Sequence, residues 1–223
     1  MNPAMIVMCK APAAGTVKTR LAPFLSAEQS ADLAGCFAVD TVKKARSISE
    51  NTIVAFAGEK EMLVTILPGN LIWVRQTGAD LGERMHNALR FAFEQNFSPL
   101  VVVGTDSPTL PTEFIENAIE ILSGNQADAV LGKTEDGGYY LIGLNKLDGR
   151  ILKNVRWSSP ETFSQTAQNI KNLNLRLATL PVWYDIDTPE DLRRLKTEIE
   201  NNARAEEIAP ETAFWLERHK QIF

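Results

Sequence analysis

Five polar clusters in this chain each follow a short apolar run, and each carries groups able to bind phosphate or a cation. The sharpest is Gly104-Thr105-Asp106-Ser107-Pro108, which closes the run Val101-Val102-Val103. A β-branched run of this kind reads as a strand buried on both faces, as in a parallel sheet. The turn then lies at the strand's carboxyl end, where open α/β sheets place their ligand crevices. Asp106 comes too early to cap a helix opening near Pro111-Thr112, so its charge is available to a cation or a substrate. A solvated turn aspartate is the plainer alternative. The second carboxylate cluster is Asp185-Ile186-Asp187-Thr188-Pro189. Mg²⁺ and Mn²⁺ prefer oxygen ligands, often one or two carboxylates completed by phosphate and water. Asp106 and Asp187 can share such an ion if their strands are near neighbours. Otherwise Asp187 merely favours the dipole of the next helix from just outside Thr188.

The loop after the first strand is Lys10-Ala11-Pro12-Ala13-Ala14-Gly15-Thr16-Val17-Lys18-Thr19-Arg20. Gly15 and its small neighbours let backbone N–H groups approach phosphate, and Lys18 and Arg20 can neutralise its charge. It is not a Walker A loop, because Val17 and Pro12 stand where that motif needs glycine. A solvated basic loop is the alternative. Asp136-Gly137-Gly138-Tyr139 is a strong turn signal that also permits close approach by a ligand. Gly78-Ala79-Asp80-Leu81-Gly82-Glu83-Arg84 offers backbone groups at the mouth of a βα unit, or Asp80 simply caps the helix. His86 and His219 are assigned no catalytic role. With these two histidines and no Gly-x-Ser-x-Gly, a Ser-His-Asp hydrolase is poorly supported.

The elements that must carry these groups alternate. Strands are expected at Met5-Ile6-Val7-Met8, Ile53-Val54-Ala55-Phe56, Leu71-Ile72-Trp73-Val74 and the Val101 run. Helices fall between them: one opened by the capping-box spacing Ser26-Ala27-Glu28-Gln29, one from Glu59 to Leu67, and one carrying Leu81, Met85, Ala88, Leu89 and Ala92. A helix from about Pro111 to Leu122 follows. The alternation implies right-handed crossovers and a helix-covered, largely parallel sheet. Strands at Ala129-Val130-Leu131-Gly132 and Tyr139-Tyr140-Leu141-Ile142 are too close in sequence for a parallel crossover, which predicts an antiparallel partner. A helix from about Pro160 to Asn172, a strand within Leu175 to Val182 and a helix capped by Thr188 complete the α/β unit, a three-layer αβα sandwich. Residues 201–208 read as a polar link to a last helix bearing Phe214, Trp215 and Ile222. The expectation is a single domain over 1–223 with a C-terminal helical extension from about 203.

Bulk properties narrow the classes. The chain has 223 residues, 44% hydrophobic and 23% charged, enough for a full core. A net charge of −5 argues against non-specific nucleic-acid binding. The two cysteines, Cys9 and Cys36, lack metal or disulfide spacing. Neither a signal peptide nor a run of apolar residues long enough to span a bilayer is present, so a cytoplasmic location and no membrane partner are expected. The last helix packs within the chain or against a second subunit, leaving monomer or homodimer open.

Taken together, Lys18-Thr19-Arg20-Leu21-Ala22-Pro23, the Gly78 to Met85 segment, Gly104 to Pro108, Asp136-Gly137-Gly138-Tyr139-Tyr140 and Asp187-Thr188-Pro189-Glu190-Asp191-Leu192 resemble the DUF2064 family of glycosyltransferase-like proteins. The resemblance runs from about Ala4 to Leu195 and, more distantly, extends to phospholactate guanylyltransferases. It implies the GT-A, nucleotide-diphospho-sugar transferase fold. It implies that the loop around Ala11 to Arg20, with Pro12, Gly15 and Lys18, holds the nucleotide and its phosphates, and that Asp106 and Asp187 hold Mg²⁺ or Mn²⁺; Asp80, Gly82 and Thr105 are expected as further nucleotide contacts. One departure is the lack of an Asp-x-Asp at Asp106, since residue 104 is Gly and 108 is Pro.

Three functions are compatible with these residues. In the first, a metal-dependent glycosyltransferase moves a sugar from a nucleotide-diphospho-sugar to a small acceptor. The acceptor enters beside Gly137 and Gly138, against Tyr139 and Trp157, with Asp136 as base and Lys18 and Arg20 on the phosphates. In the second, a nucleotidylyltransferase attacks the α-phosphate of an NTP and releases pyrophosphate, with Lys18 central. The third is a nucleotide-binding module without turnover.

Overall fold

The computed structural model describes residues 2–22 and 24–223, so Pro23 of the Lys18 motif lies outside the described residues. Seven strands form a sheet: β1 (Ala4–Lys10), β2 (Thr52–Ala57), β3 (Ile72–Arg75), β4 (Leu100–Val103), β5 (Ala129–Thr134), β6 (Tyr139–Leu144) and β7 (Leu177–Trp183), in the order β3-β2-β1-β4-β6-β5-β7. β1 pairs in parallel with β2 and β4, β2 with β3, and β5 with β7. β6 runs antiparallel to both β4 and β5. The expected mixed sheet with one antiparallel strand is therefore the observed one. The four-residue turn between β5 and β6 is too short for a crossover, and that alone forces the reversal.

Period-two alternation divides β1 between two cores. Met5, Val7 and Cys9 pack on the face covered by α1 (Ala27–Ile48), α2 (Lys60–Val64) and α4 (Thr112–Ser123). Ala4 and Ile6 pack on the other, under α3 (Leu81–Glu94) and α5 (Thr162–Asn172). A third core joins Leu21, Leu25, Leu33 and Phe37 to Leu192, Leu195, Trp215 and Leu216. It lies beneath α6 (Pro189–Asn201), α7 (Ala203–Ile208) and α8 (Pro210–Arg218). Caps fall where the residue types predict. Ser26 and Gln29 form a reciprocal capping box on α1, and Thr188 and Asp191 another on α6.

The C-terminal reading is corrected in two places. Residues 201–208 are not an irregular link, because α7 occupies most of them, capped by the Asn202 side chain. Ile222 lies beyond α8, in the 3₁₀ turn Lys220–Ile222. Trp215 is buried within the chain, whereas Phe214, one residue earlier and on another helical face, is 62% exposed. No helix among the described residues is long and apolar enough to cross a membrane.

Candidate active site

The sheet's strand order reverses between β1 and β4, and the loops leaving their carboxyl ends open a crevice there. Its cavity has a volume of about 520 Å³, within the range of small-ligand sites. Thr16, Lys18 and Arg20 line it from the first loop, Gly104, Thr105 and Asp106 from the turn after β4, and Asp136 and Gly138 from the β5–β6 turn. Tyr139, Trp157, Asp185 and Asp187 line it as well.

The first loop is held in shape by its own groups. Lys10 Nζ donates to the Thr16 carbonyl (2.7 Å), and Leu21, fully buried, anchors the 3₁₀ turn Thr19–Leu21 in the third core. Lys18, just before that turn, adopts a left-handed backbone (φ 47°), a conformation costing about 1 kcal/mol in a non-glycine residue. Its side chain reaches across to the acids. Nζ donates to Asp106 Oδ1 and to the Ile186 carbonyl (2.6 Å), and stands 3.6 Å from Asp187 Oδ1. Arg20 holds the other oxygen of Asp187 at 3.0 Å.

Asp106 and Asp187 thus converge on one cation, although not by the expected route. β4 and β7 are not neighbours, since β6 and β5 lie between them. The chain leaving β7 instead runs back along the carboxyl edge, where Ile186 N–H donates to the Asp106 carbonyl (2.9 Å). Ser107 Oγ also donates to Asp185 Oδ1 (2.6 Å). Thr188 and Asp191 cap the next helix, while Asp187, just outside its N-terminus as the dipole reading expects, also turns its two oxygens to Lys18 and Arg20. The turn bearing Asp106 is fastened from behind. Buried Lys44 donates to the carbonyls of Pro108 (2.8 Å) and Leu110 (2.7 Å), and Thr109 donates to Glu198 (2.9 Å).

The donor set suits a hard cation. Two carboxylates and a backbone carbonyl surround a single positive charge, supplied here by the Lys18 ammonium, and all are oxygen ligands. Among the described residues no group of three or more His, Cys, Asp or Glu side chains surrounds a metal position, so an ion at these two acids would take its remaining ligands from phosphate and water. Asp185 faces the same cavity. Burial pushes its carboxyl up to about 7; the bond from Ser107 opposes this, while the charges of Asp106, Asp136 and Asp187 add to it. Cys9 is buried at the cavity wall, and burial and then the Asp106 charge push its thiol up to about 12.

The other expected residues divide. Asp136 lines the cavity, with Oδ1 accepting from Thr134 Oγ1 (2.5 Å) and Gly138 N–H (3.0 Å). Tyr139 and Trp157 meet edge to face, 6.4 Å between ring centres, and form one wall. Ala11, Pro12, Gly15, Asp80, Gly82 and Gly137 do not line the cavity. The Ala11 N–H is spent on the Ala57 carbonyl (2.8 Å), which extends the sheet by one bond. Pro12 faces Gly35 of α1. Asp80 caps α3, accepting from Glu83 N–H (2.8 Å), so the plainer reading of that residue holds. Gly82 acts one step removed, since a Cβ there would stand 2.5 Å from the Trp157 ring. Gly137 (φ 94°) has the Pro160 backbone where a side chain would go and accepts from Phe163 N–H (3.0 Å).

Sequence reasoning missed Phe37 and Gln76 and gave Asp185 no role of its own. Gln76 Nε2 bridges the carbonyls of Ala55 (2.7 Å) and Cys9 (3.3 Å) at the cavity wall. Phe37 reads as a core position of α1, and its ring lies 5.4 Å from Lys18 Nζ. Neither residue carries a local signal. Only Asp185, two residues before Asp187, had one.

The comparisons agree with this architecture. A protein of Desulfovibrio desulfuricans G20, provisionally named as a nucleotide-diphospho-sugar transferase, superposes with a TM-score of 0.91 at 28% identity, covering 100% of this chain and 97% of its own. That overlap takes in the terminal helices, which the sequence resemblance had left outside. A cytidylyltransferase of Leptospira borgpetersenii serovar Hardjo-bovis shares the fold (TM-score 0.59, 15% identity, 100% of this chain and 96% of that one). So does Rv0371c of Mycobacterium tuberculosis H37Rv, solved as a complex with manganese (TM-score 0.54, 15% identity, 87% and 97%). No curated protein matches the sequence. Residues 38–159, more than half of the chain, match the family model described as "Uncharacterized protein conserved in bacteria (DUF2064)", and the chain belongs to that family.

Proposed function

We propose that this protein is a metal-dependent transferase that moves a sugar from a nucleotide-diphospho-sugar to a small acceptor. The observation that carries the reading is the convergence of Asp106 and Asp187 on one positive charge, at the switch point of the sheet and beside a walled cavity. Asp106 and Asp187 would hold Mg²⁺ or Mn²⁺, which when bound neutralises the charge that develops on a departing nucleoside diphosphate. Lys18 and Arg20 bind the phosphates by charge-assisted hydrogen bonds, and Thr105 lines the same cavity. Tyr139 and Trp157 bound the acceptor side and exclude water there. Asp136 takes the acceptor's proton on Oδ2, since Oδ1 already accepts two hydrogen bonds from its own turn. That the Desulfovibrio relative is named as a nucleotide-diphospho-sugar transferase supports this reading.

One observation favours a second reaction on the same site. Residue 104 is glycine, so no Asp-x-Asp pair stands at Asp106, and a lysine reaches the acid instead. That arrangement suits nucleotidyl transfer, in which an acceptor attacks the α-phosphate of an NTP and pyrophosphate leaves; the fold likeness to a cytidylyltransferase is compatible with it. Incubation with Mg²⁺ or Mn²⁺ and a panel of nucleotide-sugars and NTPs, followed by phosphorus NMR, separates the readings. Slow release of nucleoside diphosphate supports sugar transfer, and acceptor-dependent pyrophosphate supports nucleotidyl transfer. Metal-dependent binding without either product leaves a binding module. Asp106→Asn should abolish divalent-dependent nucleotide binding with the fold intact, and unchanged binding in that variant would refute the site.

A further inference from the structure

The two acids assigned to the metal are already neutralised by the chain itself. Lys18 Nζ donates to Asp106 and to the Ile186 carbonyl (2.6 Å) and lies 3.6 Å from Asp187 Oδ1, so three oxygens from two distant segments surround one ammonium. The Lys18 side chain is 7% exposed, whereas the carboxylates it joins are 53% and 40% exposed. The charge is therefore enclosed while its partners face the cavity. A divalent ion taking the same oxygens, Asp106 Oδ1 and Asp187 Oδ1, would need about 2.0–2.6 Å to each and so would enter the space that the ammonium fills. Overlap and like-charge repulsion make the two cations mutually exclusive.

We infer that Lys18 is a tethered counter-ion that holds the divalent site closed in the ligand-free protein and leaves it when phosphate offers the ammonium a new partner. The inference rests on the metal reading above and adds an order of events to it. A flexible four-carbon stem lets the ammonium swing without moving the loop, while Arg20 keeps its grip on the other oxygen of Asp187. Because the ion and the phosphate each favour the state with Lys18 displaced, their binding is positively coupled, and reciprocally so.

The test uses the full chain, with Mn²⁺ alone as probe and free Mn²⁺ read by electron paramagnetic resonance. Lys18→Met and Lys18→Gln should each bind Mn²⁺ about tenfold more tightly than wild type, as expected when a partly buried competing ion pair is removed. Adding Asp106→Asn to either should abolish the gain. Equal or weaker Mn²⁺ affinity in folded Lys18 variants, with binding still sensitive to Asp106, overturns the counter-ion role and leaves the metal site standing. Absence of Asp106-dependent binding in every protein overturns both. In wild type, saturating Mg²⁺ should shift the NMR signal of the Lys18 ammonium, and an unmoved signal also overturns the proposal.

Discussion

At the scale of single residues, the chemistry is concentrated in side chains whose types were informative and whose partners were not. Asp106 had no local backbone task, and its partner Lys18 lies 88 positions away in sequence. Asp80, by contrast, was legible as a helix cap, and capping is its whole observed role. The difference is one of range, because a cap is decided within four residues whereas an ion pair needs the fold. Asp136 offers a clean test of the proposed proton acceptor. Asp136→Asn keeps the oxygen that accepts from Thr134 and Gly138, so the turn should survive. Turnover should fall about 100-fold or more while metal-dependent nucleotide affinity stays within error. Parallel measurements of product formation and equilibrium binding check this, and an equal loss in both would give Asp136 a binding role instead.

At the scale of elements, periodicity located the strands and the helices as far as α6, but cross-element polar contacts were invisible to it. The clearest case is Asp40 on α1, fully buried, which caps α8 from another part of the chain. It accepts from the N–H groups of Glu211 (3.0 Å) and Thr212 (2.9 Å) and from the Thr212 hydroxyl (2.6 Å). Asp40→Ala should cost about 2 kcal/mol in urea denaturation, by leaving donors at a helix N-terminus unmet. Lys44, one turn further along α1, gives a pH signature. Burial pushes its amine down to about 7, against the pull of the Asp40 and Glu198 charges. In the unfolded chain the same amine keeps its proton to about 10.4. Between those values the unfolded state binds more protons, so this group's contribution to stability rises with pH by up to about 1.4 kcal/mol per unit. Wild type should therefore gain stability relative to Lys44→Met between about pH 7 and about pH 10. A flat difference across that range would mean that Lys44 keeps its ordinary basicity in the fold.

At the scale of the whole molecule, the C-terminal helices and the site share one support. Phe37 lies in the third core with Trp215 and Leu216 of α8, and its ring faces Lys18. α8 also covers α1, the helix from which Lys44 secures the Asp106 turn. Deleting residues 203–223 should therefore expose Leu33, Phe37, Leu195 and Ile199, lower the denaturation midpoint and weaken divalent binding together. The full chain should unfold in a single transition by circular dichroism and tryptophan fluorescence alike. A truncated protein with unchanged midpoint and unchanged Mn²⁺ affinity would make the terminal helices a mere appendage.

The sequence by itself determined the order of strands and helices as far as α6, the reversal at β6, the caps at Ser26 and Thr188, and the residue types able to bind phosphate and metal. All of these depend on interactions within a few residues or on the period of apolar positions. Only the tertiary structure decided that Asp106 and Asp187 face one lysine, because their strands are separated by two others and the approach is made by a return of chain after β7. It also decided that Lys18 stands between them and that Asp185 faces the same cavity. Such arrangements arise where distant segments share a sheet edge, and no local pattern of residues encodes which segments those will be.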